Sequence, residues 1–191
     1  MAWAAASDNA AAVGILSEAS ADPRIKVFPS TSPFDLACGY GSVQAIQEML
    51  IHYPVSLRFC LHHSLVFFGD VDTVSCLIEA GADVNEQFRF PYRNAWWFVW
   101  NMLNARHYLS PSALTNLAYH HRGATPLMFS ILTGKFEIMS VLLKAGADLS
   151  CRNDRGKTAA DLLSEMHVPL SLSSAVLKLE DGEDSDDWFS I

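Results

Sequence analysis

Two stretches of this 191-residue chain align with each other without a gap. The first runs Gly69-Asp70-Val71-Asp72-Thr73-Val74-Ser75-Cys76-Leu77-Ile78-Glu79-Ala80-Gly81-Ala82-Asp83-Val84. The second runs Gly134-Lys135-Phe136-Glu137-Ile138-Met139-Ser140-Val141-Leu142-Leu143-Lys144-Ala145-Gly146-Ala147-Asp148-Leu149. Each opens on glycine, places paired aliphatics at the same offsets, and closes on Gly-Ala-Asp. The spacing is that of a short helix with one apolar face. A chain made of copies of such a unit cannot bury its apolar faces one unit at a time. It buries them by laying the copies side by side.

Weaker copies extend the pattern. Gly41 precedes Val43-Gln44-Ala45-Ile46-Gln47-Glu48-Met49-Leu50, and Ser7 precedes Ala10-Ala11-Ala12-Val13-Gly14-Ile15-Leu16. A second, earlier helix is announced nine residues before two of the glycines, by Ser32-Pro33-Phe34-Asp35-Leu36-Ala37 and Thr125-Pro126-Leu127-Met128-Phe129-Ser130. A hydroxyl N-cap followed by proline in the first helical turn is a well-matched helix start. Thr158-Ala159-Ala160-Asp161-Leu162-Leu163 repeats it 33 residues after Thr125, with Gly123 and Gly156 at the same offset before each. A cap-Pro-Leu start, a glycine turn, a paired-Leu helix and Gly-Ala-Asp on a 33-residue period resemble an ankyrin repeat, most closely over 123–162. The resemblance implies an all-α solenoid of stacked helix–turn–helix pairs with hairpin loops along one edge, about five repeats including a degenerate central one. It also implies non-catalytic binding of another protein through finger loops and inner helices.

The landmark positions Ser7, Gly41, Gly69 and Gly134 are separated by 34, 28 and 65 residues. The 28-residue step leaves the connection Tyr53-Pro54-Val55-Ser56-Leu57-Arg58 about five residues short, which predicts a truncated finger. The 65-residue step is close to two periods. Residues 86–122 therefore read as a degenerate or inserted repeat, since a structureless stretch of that length is disfavoured. Helix is expected from Asn94 to Arg106, although Met102 stands where a turn glycine belongs. The repeat domain is taken as 1–179, with a capping helix over 170–177 and an acidic tail over 180–191.

Half the residues are apolar, which excludes disorder across the whole chain. The strongly apolar, charge-free run from Asn94 to Ala105 is too short for a spanning helix. The net charge of −8 is concentrated in Glu180, Asp181, Glu183, Asp184, Asp186 and Asp187. Without residues 180–191 the balance is 15 acids against 13 bases, so the body offers no basic stripe for nucleic acid. Cys38, Cys60, Cys76 and Cys151 lie far apart and read as reduced thiols. The expectation is an intracellular, cytoplasmic chain, with the nucleus left open, that is a monomer when free and uses neither membrane nor cofactor.

Catalytic and metal-binding motifs fare poorly. Cys60-Leu61-His62-His63 and His120-His121 lack the second ligand pair that zinc requires. By the resemblance, His63 is the fourth residue of a helix start and hydrogen-bonds locally between repeats. Not being an enzyme is the expectation; a Cys/His pair in the atypical central segment is the alternative, and docking of the acidic-aromatic tail into a larger assembly is another. Partner contact is assigned to three places. Phe88, Arg89, Phe90 and Tyr92 form an aromatic finger, with Trp97 beside it, because Trp, Tyr and Arg dominate interface hot spots. Trp96, Trp97 and Trp100 equally suit the core of a repeat, though consecutive tryptophans cannot face the same way. The turn Arg152, Asn153, Asp154 and Arg155 sits where ligands of such folds commonly touch. Trp188 and Phe189 end the acidic tail.

Overall fold

Side-chain oxygens and left-handed glycines start and stop the helices where the sequence pattern places them. In the computed structural model, which describes residues 1–27, 31–89 and 95–166 (backbone alone for 95 and 96), the Ser32 hydroxyl accepts from the Asp35 N–H at 3.1 Å. The Asp35 carboxylate in return accepts from the Ser32 N–H at 2.9 Å. Thr158 and Asp161 form the same reciprocal box, and the Thr125 hydroxyl caps Met128. These pairings satisfy N–H groups that a helix start leaves without partners. Gly134, at φ +72°, ends one helix and opens the tight turn into the next, a conformation that a Cβ would disfavour.

The described residues form eleven helices and no strand. They are α1 (Ala2–Ala6), α2 (Ala10–Glu18), α3 (Pro33–Tyr40), α4 (Val43–His52), α5 (Cys60–Val66), α6 (Val71–Glu79), α7 (Ala95–His107), α8 (Ala113–His120), α9 (Pro126–Thr133), α10 (Phe136–Lys144) and α11 (Ala159–Glu165). Consecutive members of the inner row, α1, α3, α5, α9 and α11, pack against one another. The outer row, α2, α4, α6 and α10, does the same, and each outer helix packs on its inner mate. The result is the all-α stack expected: four complete pairs and the first helix of a fifth. Between the rows lie Ile46, Met49, Leu65, Leu77, Phe129, Met139 and Leu142, all fully buried. Of the paired leucines, Leu142 is interior while Leu143 is only half-buried against the core. No described helix is long and apolar enough to cross a membrane.

The Gly-Ala-Asp turns carry the fingers, and neighbouring fingers are bonded to each other. The Asn85 side chain accepts from the Asp148 N–H at 2.7 Å and donates to the Gly146 carbonyl at 3.4 Å. Lys135 locks the third and fourth pairs from below. Its ammonium donates to the carbonyls of Ser64, Phe67 and Gly69 at 3.1, 3.0 and 2.7 Å, around the turn that follows α5.

The central segment departs from a repeat in register. Because α5 packs directly on α9 and α6 directly on α10, the stack has no slot for another pair between them. Helices α7 and α8 do form, and pack on each other, but they stand beside the stack with α8 against α9. Met102 lies inside α7 and makes no turn. The capping helix expected over 170–177 and the acidic tail over 180–191 lie outside the described residues.

Candidate functional site

The edge that bears the fingers is also where the inserted helix pair is attached. The Gly123 N–H donates to the Phe88 carbonyl at 2.9 Å, and the Phe88 N–H donates to the Ala124 carbonyl at 2.9 Å. The chain thus leaves the stack and returns to it on one rung. Gly123 must be glycine here: its φ is +68°, and a Cβ would meet the Asp154 backbone nitrogen at 2.9 Å.

Phe88 is 3% exposed and occupies the centre of an aromatic cluster. Its ring lies 5.0 Å from His62, 5.1 Å from Phe59, 5.2 Å from Phe129, 6.2 Å from His121 and 6.5 Å from Trp100. Trp100 is buried with it and packs on His121 at 4.7 Å. These contacts join the stack to the insertion. The histidines are held neutral by their surroundings. Burial drives His62 down to about 3, against the opposing pull of the Ala124 carbonyl 3.2 Å from Nε2. Burial likewise lowers His120 and His121 to about 4. The His63 ring faces Asp35 of the preceding inner helix at 3.6 Å, an electrostatic contact longer than a hydrogen bond.

The polar finger 152–155 is engaged with the insertion as well. Arg155 lies over the Tyr119 ring, 3.2 Å from its centroid, and donates to the Tyr119 carbonyl at 2.6 Å and to Asn104 Oδ1 at 3.3 Å. Asn153 is buried; it donates to the His120 carbonyl and accepts from the N–H groups of Arg155 and Lys157. Asp154 stands 3.5 Å from Arg122 and 3.8 Å from Arg89. Arg152 donates to the Gly156 carbonyl at 2.7 Å and lies 3.8 Å from Asp161. Among the residues read from sequence as partner contacts, Phe88 and Asn153 are therefore interior. Arg89, Arg152, Asp154 and Arg155 are exposed at one end of the finger edge. Trp97 is 36% exposed on α7. Phe90, Tyr92, Trp188 and Phe189 lie outside the described residues.

A second feature of the edge was signalled only by the short 28-residue step. The connection 53–59 is the truncated finger. A cleft of about 820 Å³ opens there, beside the longer loop that begins at Ser20. Phe34, Tyr53, Pro54, Val55, Phe59 and His63 line it, and Arg24, Lys26 and Arg58 stand around it with Asp22 and Asp35, Arg24 lying 3.0 Å from Asp22 and Arg58 3.4 Å from Glu86. Phe59 holds φ +60°, which is costly for a bulky side chain. The Glu86 carboxylate fixes it, accepting the Phe59 N–H at 2.7 Å, and the ring packs on Phe88.

Cys60 is fully buried, and burial pushes its thiol up to about 12. It is a protonated, inaccessible group at neutral pH, unlike an activated nucleophile. Among the described residues no three His, Cys, Asp or Glu side chains converge in a way that would hold a metal.

Comparison with known proteins bears on the same helices. Residues 117–163, from α8 through α11, match the family model described as ankyrin repeats in many copies. The chain is also similar to a putative palmitoyltransferase ZDHHC13 of Danio rerio, 39% identical over 57 residues. That stretch is 29% of this chain and 9% of the relative, so the chain spans less than a tenth of that protein's length. Palmitoyl transfer is named for that protein alone. Stacked helix pairs, fingers bonded one to the next and the family match agree: the chain carries ankyrin repeats at 117–163, within a longer stack of the same kind of helix pairs.

Proposed function

We propose that the chain is a non-catalytic module that, as a monomer, grips an extended segment of another protein along its finger edge, with the truncated-finger cleft as the principal seat. Arrays of this family serve protein–protein interaction in general and are typically not enzymes. The observation that carries the finer reading is the cleft itself. It joins an aromatic and aliphatic lining to guanidinium and ammonium groups around it, the mixture found at interface hot spots. Its walls are held by the capping box of α3 and the Glu86 clamp on Phe59, so little ordering is left to be done on binding. Arg89, Arg152 and Asp154, exposed farther along the same edge, extend the contact.

Panning a displayed peptide library on the purified chain tests this. Selected peptides should bind Val55→Asp and Tyr53→Ala at least tenfold more weakly than the wild-type chain, and Ile51→Ser, on an exposed outer-helix position, with unchanged affinity. Peptides that bind both cleft variants as tightly as the wild type would defeat the proposal.

A further inference from the structure

Helix α7 has an apolar face that the stack does not cover. Trp100, Leu103 and His107 turn toward the protein, while Phe98, Val99, Met102, Ala105 and Arg106 share the opposite side. Phe98 is 60% exposed and Met102 is 59% exposed, one helical turn apart, and Leu109 just beyond the helix is 88% exposed. A surface helix of this kind normally carries polar residues outward, so a contiguous apolar patch marks something that binds there. The stretch of chain that carries it has charges of one sign. Between Glu86 and Glu137 the sequence contains no carboxylate, while it contains Arg89, Arg93, Arg106, Arg122 and Lys135. Asp154 and backbone carbonyls answer Arg89, Arg122 and Lys135. Among the described residues no carboxylate pairs with Arg106, which closes the apolar face.

The complement to such a face exists in the same chain. Glu180, Asp181, Glu183, Asp184, Asp186 and Asp187 precede Trp188-Phe189. The described structure also ends close by. Glu165 lies 3.9 Å from His120 of α8, and Tyr119 beside it stacks on His107 of α7 at 4.5 Å. The thirteen residues between Met166 and Glu180 can reach roughly 45 Å when extended, and α7 is only about 20 Å long.

We propose that residues 180–189 of this chain cover the exposed face of α7 in cis, Trp188 and Phe189 packing on Phe98 and Met102 and the carboxylates facing Arg106. The contact is apolar at its centre and electrostatic around it, so salt weakens it and added negative charge at Ser185 strengthens it.

Hydrogen exchange followed by mass spectrometry on the full chain tests the contact from both sides. Replacing Trp188 and Phe189 with alanine, or the six carboxylates with their amides, should speed exchange over 97–109 at least fivefold. Exchange over 126–144, in the core of the stack, should not change. Reciprocally, Phe98→Ser/Met102→Ser, changes at exposed positions that leave the fold standing, should speed exchange over 180–189. Equal exchange over 97–109 in wild-type and tail-substituted chains overturns the proposal. So does protection of α7 that grows between 1 and 100 µM protein, since a second copy would then be the occupant. The cleft reading stands or falls separately, because none of these substitutions touches it.

Discussion

Replacing Phe88 with alanine deletes the ring on which the stack and the inserted pair converge. The site is sealed, at 3% exposure, and five rings stand within 6.5 Å of the one removed. Truncation of a buried phenylalanine costs about 3–5 kcal/mol, transfer and cavity together. The upper part of that range is expected, because Phe59 and Phe129 come from different repeats and Trp100 and His121 from the insertion. No single shift can close the void. The backbone rung to Gly123 and Ala124 survives the change, so the chain should still enter and leave the insertion at the same place. Urea unfolding followed by far-UV circular dichroism should show a lower midpoint at unchanged slope, the mark of lost stability without a new unfolded state. Near-UV dichroism should change even in native buffer, as Trp100 loses its neighbour. A cost under 1 kcal/mol with an unaltered near-UV spectrum would mean that Phe88 points into solvent, as an aromatic finger would, and the packing argument would fail.

Three further outcomes are expected. Leu142→Ala should cost about 2–5 kcal/mol, and Leu143→Ala distinctly less, because only the first side chain is fully enclosed; equal losses by denaturant titration would contradict that assignment. Lys135→Met should cost about 1–3 kcal/mol by removing the ammonium from the Ser64, Phe67 and Gly69 carbonyls, of which Ser64 keeps the Gly69 N–H, and should speed exchange at the end of α5; a neutral effect would show that water replaces the ammonium freely. His62, His120 and His121 titrate at about 3, 4 and 4 in the folded protein against about 6.5 unfolded, so the unfolded chain takes up more protons as pH falls below 7. Stability should therefore fall with pH from 7 to 5.5, above the carboxylate range, approaching about 1.4 kcal/mol per pH unit per histidine at the acid end; a flat urea midpoint across that interval would disprove the neutral, buried assignment.

What was legible in the sequence is what local chemistry dictates. The Ser32 and Thr158 boxes, the Thr125 cap, the Gly134 turn and the Leu142 face depend on residues within one or two helical turns of each other, and all stand where the spacing placed them. Of the tryptophans that suit either core or interface, Trp100 is interior and Trp97 is 36% exposed, a division that spacing alone does not dictate. In the central segment the sequence leaves a degenerate repeat and an insertion open, for an arithmetical reason. The excursion from Phe88 to Gly123 is about one repeat long, so an insertion and an extra unit give the same landmark spacing. Nothing local separates the two; direct packing of α5 on α9 does. Phe88 was taken for a surface aromatic because Phe59, His62 and Phe129 reach it from elements remote in sequence. The finger residues Asn153 and Arg155 were recognisable as turn chemistry, but their partners on α7 and α8 could be known only once the insertion folded back.

Since α5 packs directly on α9 and α6 on α10, tension applied along the solenoid can run through those contacts, with α7 and α8 held to their side by one backbone rung, the Phe88 cluster and the 152–155 finger. The appendage is a passenger on a spring.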